Sequence, residues 1–167
     1  MDSIDKFNKL SKAEFISIFR NIFEKTEWIA ERCYESKPYN NLDELVSKMI
    51  KIFENIEKER HLEILNSHPD LAVEKKLTED SKNEQKNASL NQCTDEEFVE
   101  FKKLNEKYKK KFGFPFIIAV KGKNRSEILL NFKKRILSSK KIEFDEAIKQ
   151  VKQIANLRLD ELKVKFL

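Results

Sequence analysis

Apolar side chains recur every three or four residues along most of this chain, with lysine, glutamate and asparagine between them. This spacing places them on one face of an α-helix and predicts a series of amphipathic helices. The predicted apolar stripes fall within residues 15–23, 45–56, 98–108, 128–136 and 144–162. Three of these helices have a start signal, a capping residue followed three positions later by glutamate: Ser11 with Glu14, Asn41 with Glu44, and Thr94 with Glu97.

One stretch breaks the helical pattern. Residues 114–120, Phe-Pro-Phe-Ile-Ile-Ala-Val, are apolar on every side and lie between Gly113 and Gly122, the only two glycines of the chain. Gly113 is also placed to cap the preceding helix. Because the segment begins with X-Pro, is rich in β-branched and aromatic residues and has no second strand to pair with, we predict a buried extended segment threading between helices. Its backbone N–H and C=O groups need partners, and a ligand can supply some of them.

These patterns predict an all-α fold, a compact helical bundle, with residues 1–167 forming a single domain. Two glycines cannot build a Gly-rich phosphate loop, so nucleotide-binding folds of the Walker and dinucleotide types are excluded. The longest apolar run, 114–120, is too short to span a bilayer. Two isolated cysteines and a polar N-terminus predict a cytoplasmic location.

Charge is distributed unevenly along the chain. Residues 1–85 carry 14 Lys/Arg and 18 Asp/Glu, a net −4, whereas residues 86–167 carry 20 and 11, a net +9. A basic half is compatible with a non-enzymatic helical adaptor that binds nucleic acid or an acidic partner. Lysine-covered helix surfaces that need no partner explain it better, because the lysines are spread over several helices.

The first candidate for chemistry is His68. A short predicted helix through Leu62 and Leu65 runs into it, and Pro69 follows, which disfavours the helical conformation at His68. His68 is therefore expected in a turn just after a helix, outside the core. Histidine titrates close to neutral pH, so this residue is a candidate for proton transfer. The alternative is a turn residue bonded only to the backbone.

The second candidate is the row Ser81, Glu84, Gln85 and Ala88, which share one face of a helix predicted over residues 78–90. This helix has almost no apolar stripe, so a polar face turned inward would suit a polar ligand. The alternative is that Ser81 and Glu84 form a capping box.

The third candidate is Arg158, which interrupts the apolar stripe of the last helix after Val151, Ile154 and Ala155. A buried guanidinium needs an acidic partner or an anionic ligand. Three explanations of Arg158 are therefore considered: it binds a ligand, it pairs with a carboxylate in a structural contact, or its side chain reaches the surface.

Several separated motifs together resemble the OHCU decarboxylase family, which converts 2-oxo-4-hydroxy-4-carboxy-5-ureidoimidazoline (OHCU) to S-allantoin in urate degradation. They occur in the same order as in the family and are His68-Pro-Asp-Leu-Ala72, Ser81-x-x-Glu84-Gln85, the KFGFPFIIAVKG stretch at 111–122, and Ile154-Ala-Asn-Leu-Arg158. Residues 19–30 also look like the opening helices of the family, so the resemblance covers nearly the whole chain. Val73 and Glu74 depart from the family, which often has Gly-Lys there; Lys75 and Lys76 come only afterwards, and the stretch before Ser81 looks short.

The resemblance implies an all-α homodimeric enzyme of the cytoplasm that uses no cofactor and no metal and binds neither nucleic acid nor membrane. It implies that His68 and Glu84 are the catalytic pair. The substrate contacts it implies are Pro69, Ser81, Gln85 and Arg158, with the segment formed by Phe116, Ile117, Ile118 and Ala119.

Overall fold

The computed structural model describes residues 3–72 and 79–166. Within them the regular structure is entirely helical, which confirms the predicted fold class. The helices are α1 (Ser3–Lys9), α2 (Lys12–Phe19), α3 (Glu27–Glu35), α4 (Leu42–Glu54), α5 (Lys58–Ser67), α6 (Glu79–Asn87), α7 (Asp95–Phe112), α8 (Arg125–Arg135) and α9 (Lys140–Phe166), with a 3₁₀ turn at Leu90–Gln92.

The predicted helix starts are confirmed by their hydrogen bonds. Ser11 and Thr94 each form a capping box, in which the hydroxyl accepts from the backbone N–H three residues later and the glutamate at that position accepts from the cap. The Asn41 side chain accepts from the Glu44 N–H. Gly113 ends α7 in the left-handed conformation, with φ of 82°, which favours glycine.

The chain divides into two compact units, Met1–Ile64 with Lys152–Leu167, and Leu65–Val151. The single domain over residues 1–167 stays a prediction. In the first unit the core is built from aromatic and aliphatic side chains of α2, α3 and α4, and Phe23 stacks on Phe53 with ring centroids 4.6 Å apart. The stripe predicted from Phe15 to Phe23 therefore serves as core, although α2 itself ends at Phe19.

The second unit is built around α7, α8 and the segment 114–120. All seven residues of that segment are buried and lie outside any helix, as predicted. Phe116 stacks on Phe132 of α8 at 3.9 Å, and Tyr108 of α7 meets both rings edge-on at 5.4 and 5.8 Å. Aromatic packing thus fixes the segment against two helices.

In the part of the chain that the structure describes, none of the helices combines the length and the apolar character needed to cross a membrane.

Candidate functional site

His68 follows directly after α5, and its backbone N–H bonds to the Leu65 carbonyl at 3.2 Å. The predicted turn is confirmed, but the expectation that His68 lies outside the core is wrong, because its side chain is buried, with 8% exposed. The reason is that the turn itself is packed inward: Asp70, Leu71 and Ala72 are all buried.

Gln85 of α6 holds this turn from one side. Its Oε1 accepts from the Ala72 N–H at 3.1 Å, and its Nε2 donates to the Asp70 carbonyl at 3.2 Å. Ala72 has φ of 53°, a left-handed conformation that costs about 1–2 kcal/mol for a residue other than glycine. The two bonds from Gln85 therefore stabilise a strained turn, and this side chain has a structural task in addition to the predicted contact with substrate.

Helix α7 holds the same turn through two side chains that the sequence analysis missed. Asn105 Nδ2 donates to the Leu71 carbonyl at 3.1 Å, and Lys109 Nζ lies 2.7 Å from Asp70 Oδ2. Asn105 is buried, and among the described residues its Oδ1 has no hydrogen-bond partner. A signal existed for Asn105, since it lies four residues after Phe101 on the apolar face of α7.

Three members of the predicted row, Ser81, Glu84 and Gln85, lie on α6, and Ala88 follows its last residue. Ser81, Gln85 and Ala88 are buried, and Glu84 is half-buried on the same side. Ser81 lies within α6 and not before its first residue, so the alternative of a capping box does not hold. The helix ends at Asn87, earlier than predicted, because Ser89 adopts a left-handed conformation with φ of 61°. Thr78 and the departures at Val73, Glu74, Lys75 and Lys76 lie outside the described residues.

Side chains of the second unit form hydrogen bonds with the backbone of alternate residues of the segment 114–120. Arg135 Nη1 donates to the Ile117 carbonyl at 2.7 Å, while the Ala119 N–H donates to Gln150 Oε1 at 2.8 Å and the Ala119 carbonyl accepts from a lysine. By contrast, no described residue forms a hydrogen bond with the backbone of Phe116 or Ile118, although both residues are buried. In an extended chain the backbone groups of alternate residues point to the same side, so one side of the segment is held by protein and the other offers N–H and C=O groups.

The bond from Arg135 belongs to a buried network that also includes Tyr108 and Glu143. The Tyr108 hydroxyl donates to Glu143 Oε1 at 2.5 Å, and Arg135 Nε donates to the same oxygen at 2.8 Å. The Arg135 guanidinium also lies over the Phe116 ring, 4.4 Å from its centroid. Burial, followed by the bond to Glu143, raises the pKa of Tyr108, so its hydroxyl stays protonated and keeps donating.

Arg158 lies in the first unit and is buried, with 5% exposed, as its position in the stripe predicted. Its Nη2 is 2.8 Å from Glu24 Oε2, and its Nη1 donates to the Asn21 carbonyl at 2.6 Å. Glu24 is itself 0% exposed. The structure therefore supports the alternative of a structural pair with a carboxylate, and the predicted contact of Arg158 with substrate stays a prediction.

Among the residues described here, no group of three or more His, Cys, Asp or Glu side chains is arranged to hold a metal ion. Burial raises the pKa of the Cys33 thiol to about 11, which makes it a poor nucleophile at neutral pH.

Proteins of similar sequence match nearly the whole chain. The family model described as OHCU decarboxylase matches residues 8–160 of the chain. The uric acid degradation bifunctional protein of Bacillus sp. strain TB-90 is 38% identical over 162 residues, which are 97% of this chain and 32% of that protein. The 2-oxo-4-hydroxy-4-carboxy-5-ureidoimidazoline decarboxylase of Haloferax volcanii is 36% identical over 159 residues, 95% of each chain. The chain thus spans about a third of the first relative and nearly all of the second.

Two solved structures have the same fold. The crystal structure of (S)-allantoin synthase aligns with a TM-score of 0.76 and 27% identity, and the match covers 96% of this chain and 53% of that one. The crystal structure of OHCU decarboxylase in the presence of (S)-allantoin aligns with a TM-score of 0.72 and 25% identity over 87% of this chain and 96% of that one. None of these matches supports the alternative of a non-enzymatic helical adaptor that binds nucleic acid or an acidic partner.

Proposed function

Because this chain belongs to the OHCU decarboxylase family, we propose that it is the lyase that converts OHCU to (S)-allantoin and carbon dioxide in urate degradation. The observation that carries the proposal is the turn after α5. It buries His68, and side-chain bonds from α6 and α7 hold Asp70, Leu71 and Ala72. A proton-transfer group must be placed with this kind of rigidity to act on one face of a substrate.

The reaction needs little from the protein beyond placement and proton transfer. The bond from the ring carbon to the carboxylate breaks, carbon dioxide leaves, and the electron pair moves into the adjacent ring C=N. The ring nitrogen takes up a proton. The hydroxyl on the carbon that lost carbon dioxide then gives up its proton and becomes a carbonyl, while the neighbouring carbon is protonated on one face to give the S product. Decarboxylases often use a cofactor to accept the electron pair, but here the ring of the substrate supplies the acceptor. We assign proton transfer to His68, with Glu84 as its catalytic partner.

The segment 114–120 is proposed as one wall of the site. The backbone groups of Phe116 and Ile118 have no protein hydrogen bond within the described residues, and buried backbone groups need partners. A ureido substrate carries several N–H and C=O groups that complement them. Ile117 and Ala119 contribute by apolar contact, while their backbone groups are held by Arg135 and Gln150. Pro69, Ser81 and Gln85 complete the proposed substrate contacts.

The test uses OHCU generated in the assay mixture from urate by urate oxidase and hydroxyisourate hydrolase. Circular dichroism follows the formation of the product. The protein should give S-allantoin faster than the spontaneous reaction, which yields the racemate. His68→Asn should lose most of this activity and keep the helical spectrum of the wild type. Near-normal turnover by His68→Asn would contradict the assigned proton transfer, and racemic product with the wild-type protein would contradict the function itself.

The proposal includes a homodimer located in the cytoplasm, as the resemblance implies. Light scattering coupled to size-exclusion chromatography tests the first part: a mass near twice that of the 19.9 kDa chain is expected. A mass equal to one chain at micromolar concentration would refute it.

A further inference from the structure

One face of α7 carries the side chains that hold both segments of the candidate site. Asn105, Tyr108 and Lys109 are separated by three and four positions, so they share a face of the helix. Asn105 and Lys109 bond to the turn after His68, at 3.1 and 2.7 Å. Tyr108 bonds to Glu143, at 2.5 Å, and so reaches the other segment.

We propose that α7 positions the site as a single rigid element, with Lys109 as the positioning residue for His68 and Tyr108 as the positioning residue for the Phe116–Ile118 backbone. This inference rests on the proposed function, and it assigns roles to residues that touch neither substrate nor product. Lys109 acts through Asp70, two residues after His68, and Tyr108 acts through Glu143 and Arg135.

The link from Lys109 to His68 is short and partly buried. Asp70 is 10% exposed in its side chain, whereas Lys109 is 41% exposed. Because Lys109 reaches solvent, loss of this pair should cost less stability than loss of a fully buried pair, and the folded fraction of each variant is measured separately. The change should also remove one contact that orients the Asp70 side chain in a turn that contains the left-handed Ala72. Displacement of a catalytic group by about 1 Å can cost as much as about 100-fold in rate.

Tyr108 is connected through hydrogen bonds to the segment 114–120, the proposed wall of the site. Glu143 is 1% exposed, and its Oε1 accepts from both Tyr108 and Arg135, whose Nη1 then donates to the Ile117 carbonyl. Without the hydroxyl, Glu143 keeps Arg135 as its partner, so the buried charge stays compensated. What changes is the orientation of Arg135 and, with it, the direction in which the backbone of Phe116 and Ile118 points.

The two links predict different kinetic effects. Lys109→Met should lower kcat about tenfold and leave KM within about twofold, because it disturbs the group that transfers the proton. Tyr108→Phe should raise KM about fivefold to tenfold and leave kcat within about threefold, because it disturbs a wall that binds the substrate. A purely structural role would lower only the fraction of folded enzyme, which reduces apparent kcat and leaves KM unchanged in both variants.

Matched variants complete the experiment. Lys109→Arg keeps the charge and should recover most of the kcat. Lys110→Met, one position along on the exposed surface, should match the wild type. All variants are assayed on OHCU generated in place, with the folded fraction measured by circular dichroism. An inactive wild type refutes the proposed function. An active wild type with Lys109→Met and Tyr108→Phe both equal to Lys110→Met refutes the positioning roles alone, as does loss of kcat in proportion to the folded fraction.

Discussion

Replacement of Arg158 by methionine tests what compensates the buried cation of α9. The guanidinium is 5% exposed and bonds to Glu24 Oε2 at 2.8 Å and to the Asn21 carbonyl at 2.6 Å. Methionine has a similar length and no charge. It removes both bonds and leaves the fully buried Glu24 carboxylate without the guanidinium.

The expected loss of stability is large. Removal of one partner of a buried ion pair costs about 3–5 kcal/mol, because the remaining charge stays in a poorly polarisable environment. For a chain of this size each kcal/mol corresponds to roughly 2–4 °C, so the melting temperature should fall by roughly 6–20 °C. Thermal and urea unfolding followed by far-ultraviolet circular dichroism measure both quantities.

The same helix offers a control. Lys163 lies 3.4 Å from Asp43, whose side chain is 92% exposed, so Lys163→Met should change the free energy of unfolding by less than about 0.5 kcal/mol. The double variant Arg158→Met/Glu24→Gln should be more stable than Arg158→Met, because neither charge of this pair is then left buried. If Arg158→Met alone is as stable as the wild type, the pair with Glu24 does not compensate the cation. Loss of the stabilisation by allantoin in that variant would then assign Arg158 to the ligand.

Two further predictions concern other groups. Glu84→Gln should lower turnover by a factor of about 100 or more, the scale expected for a positioned acid–base group, and should melt close to the wild type; a fully active Glu84→Gln would remove Glu84 from the catalytic pair. Cys33 should resist a thiol reagent at neutral pH until the protein unfolds, whereas the half-buried Cys93 should react sooner. Because burial raises the pKa of Cys33 from 9.0 to about 11, its ionisation in the unfolded chain should lower the free energy of unfolding as the pH rises through this interval. Stability that does not fall between these values, or equal labelling of the two thiols in the folded protein, would count against its burial.

Local signals explain why much of the fold could be predicted. The starts at Ser11, Asn41 and Thr94 depend on residues three positions apart, and the sequence displays both members of each pair. Helix α3 lacks such a signal, because the Thr26 side chain makes no capping bond. It is stabilised by burial of its own apolar side chains, which only the tertiary structure reveals, so the spacing of apolar residues did not predict it.

The candidate site was predictable only in part, for a related reason. His68 and the row on α6 could be found from Pro69 and from helical spacing. The groups that hold them come from far along the chain: Asn105 is 34 residues from Leu71, and Lys109 is 39 residues from Asp70. A single sequence gives the type of each side chain but not the identity of a distant partner, so it could not show that Gln85 bonds to the turn.

The same limit explains why buried polar residues are ambiguous in this chain. Asn105, Glu143 and Arg158 all occupy buried positions on their helices, and each bonds to a protein group. In this chain a polar residue in an apolar stripe can therefore mark a structural bond within the protein as well as a contact with a ligand. The proposed catalytic groups do not interrupt an apolar stripe: His68 follows a helix end in a buried turn, and Glu84 lies on a helix that has almost no apolar stripe. The polar residues within the stripes of α7 and α9 thus stabilise the framework, whereas proton transfer is assigned to residues that the stripe pattern does not single out.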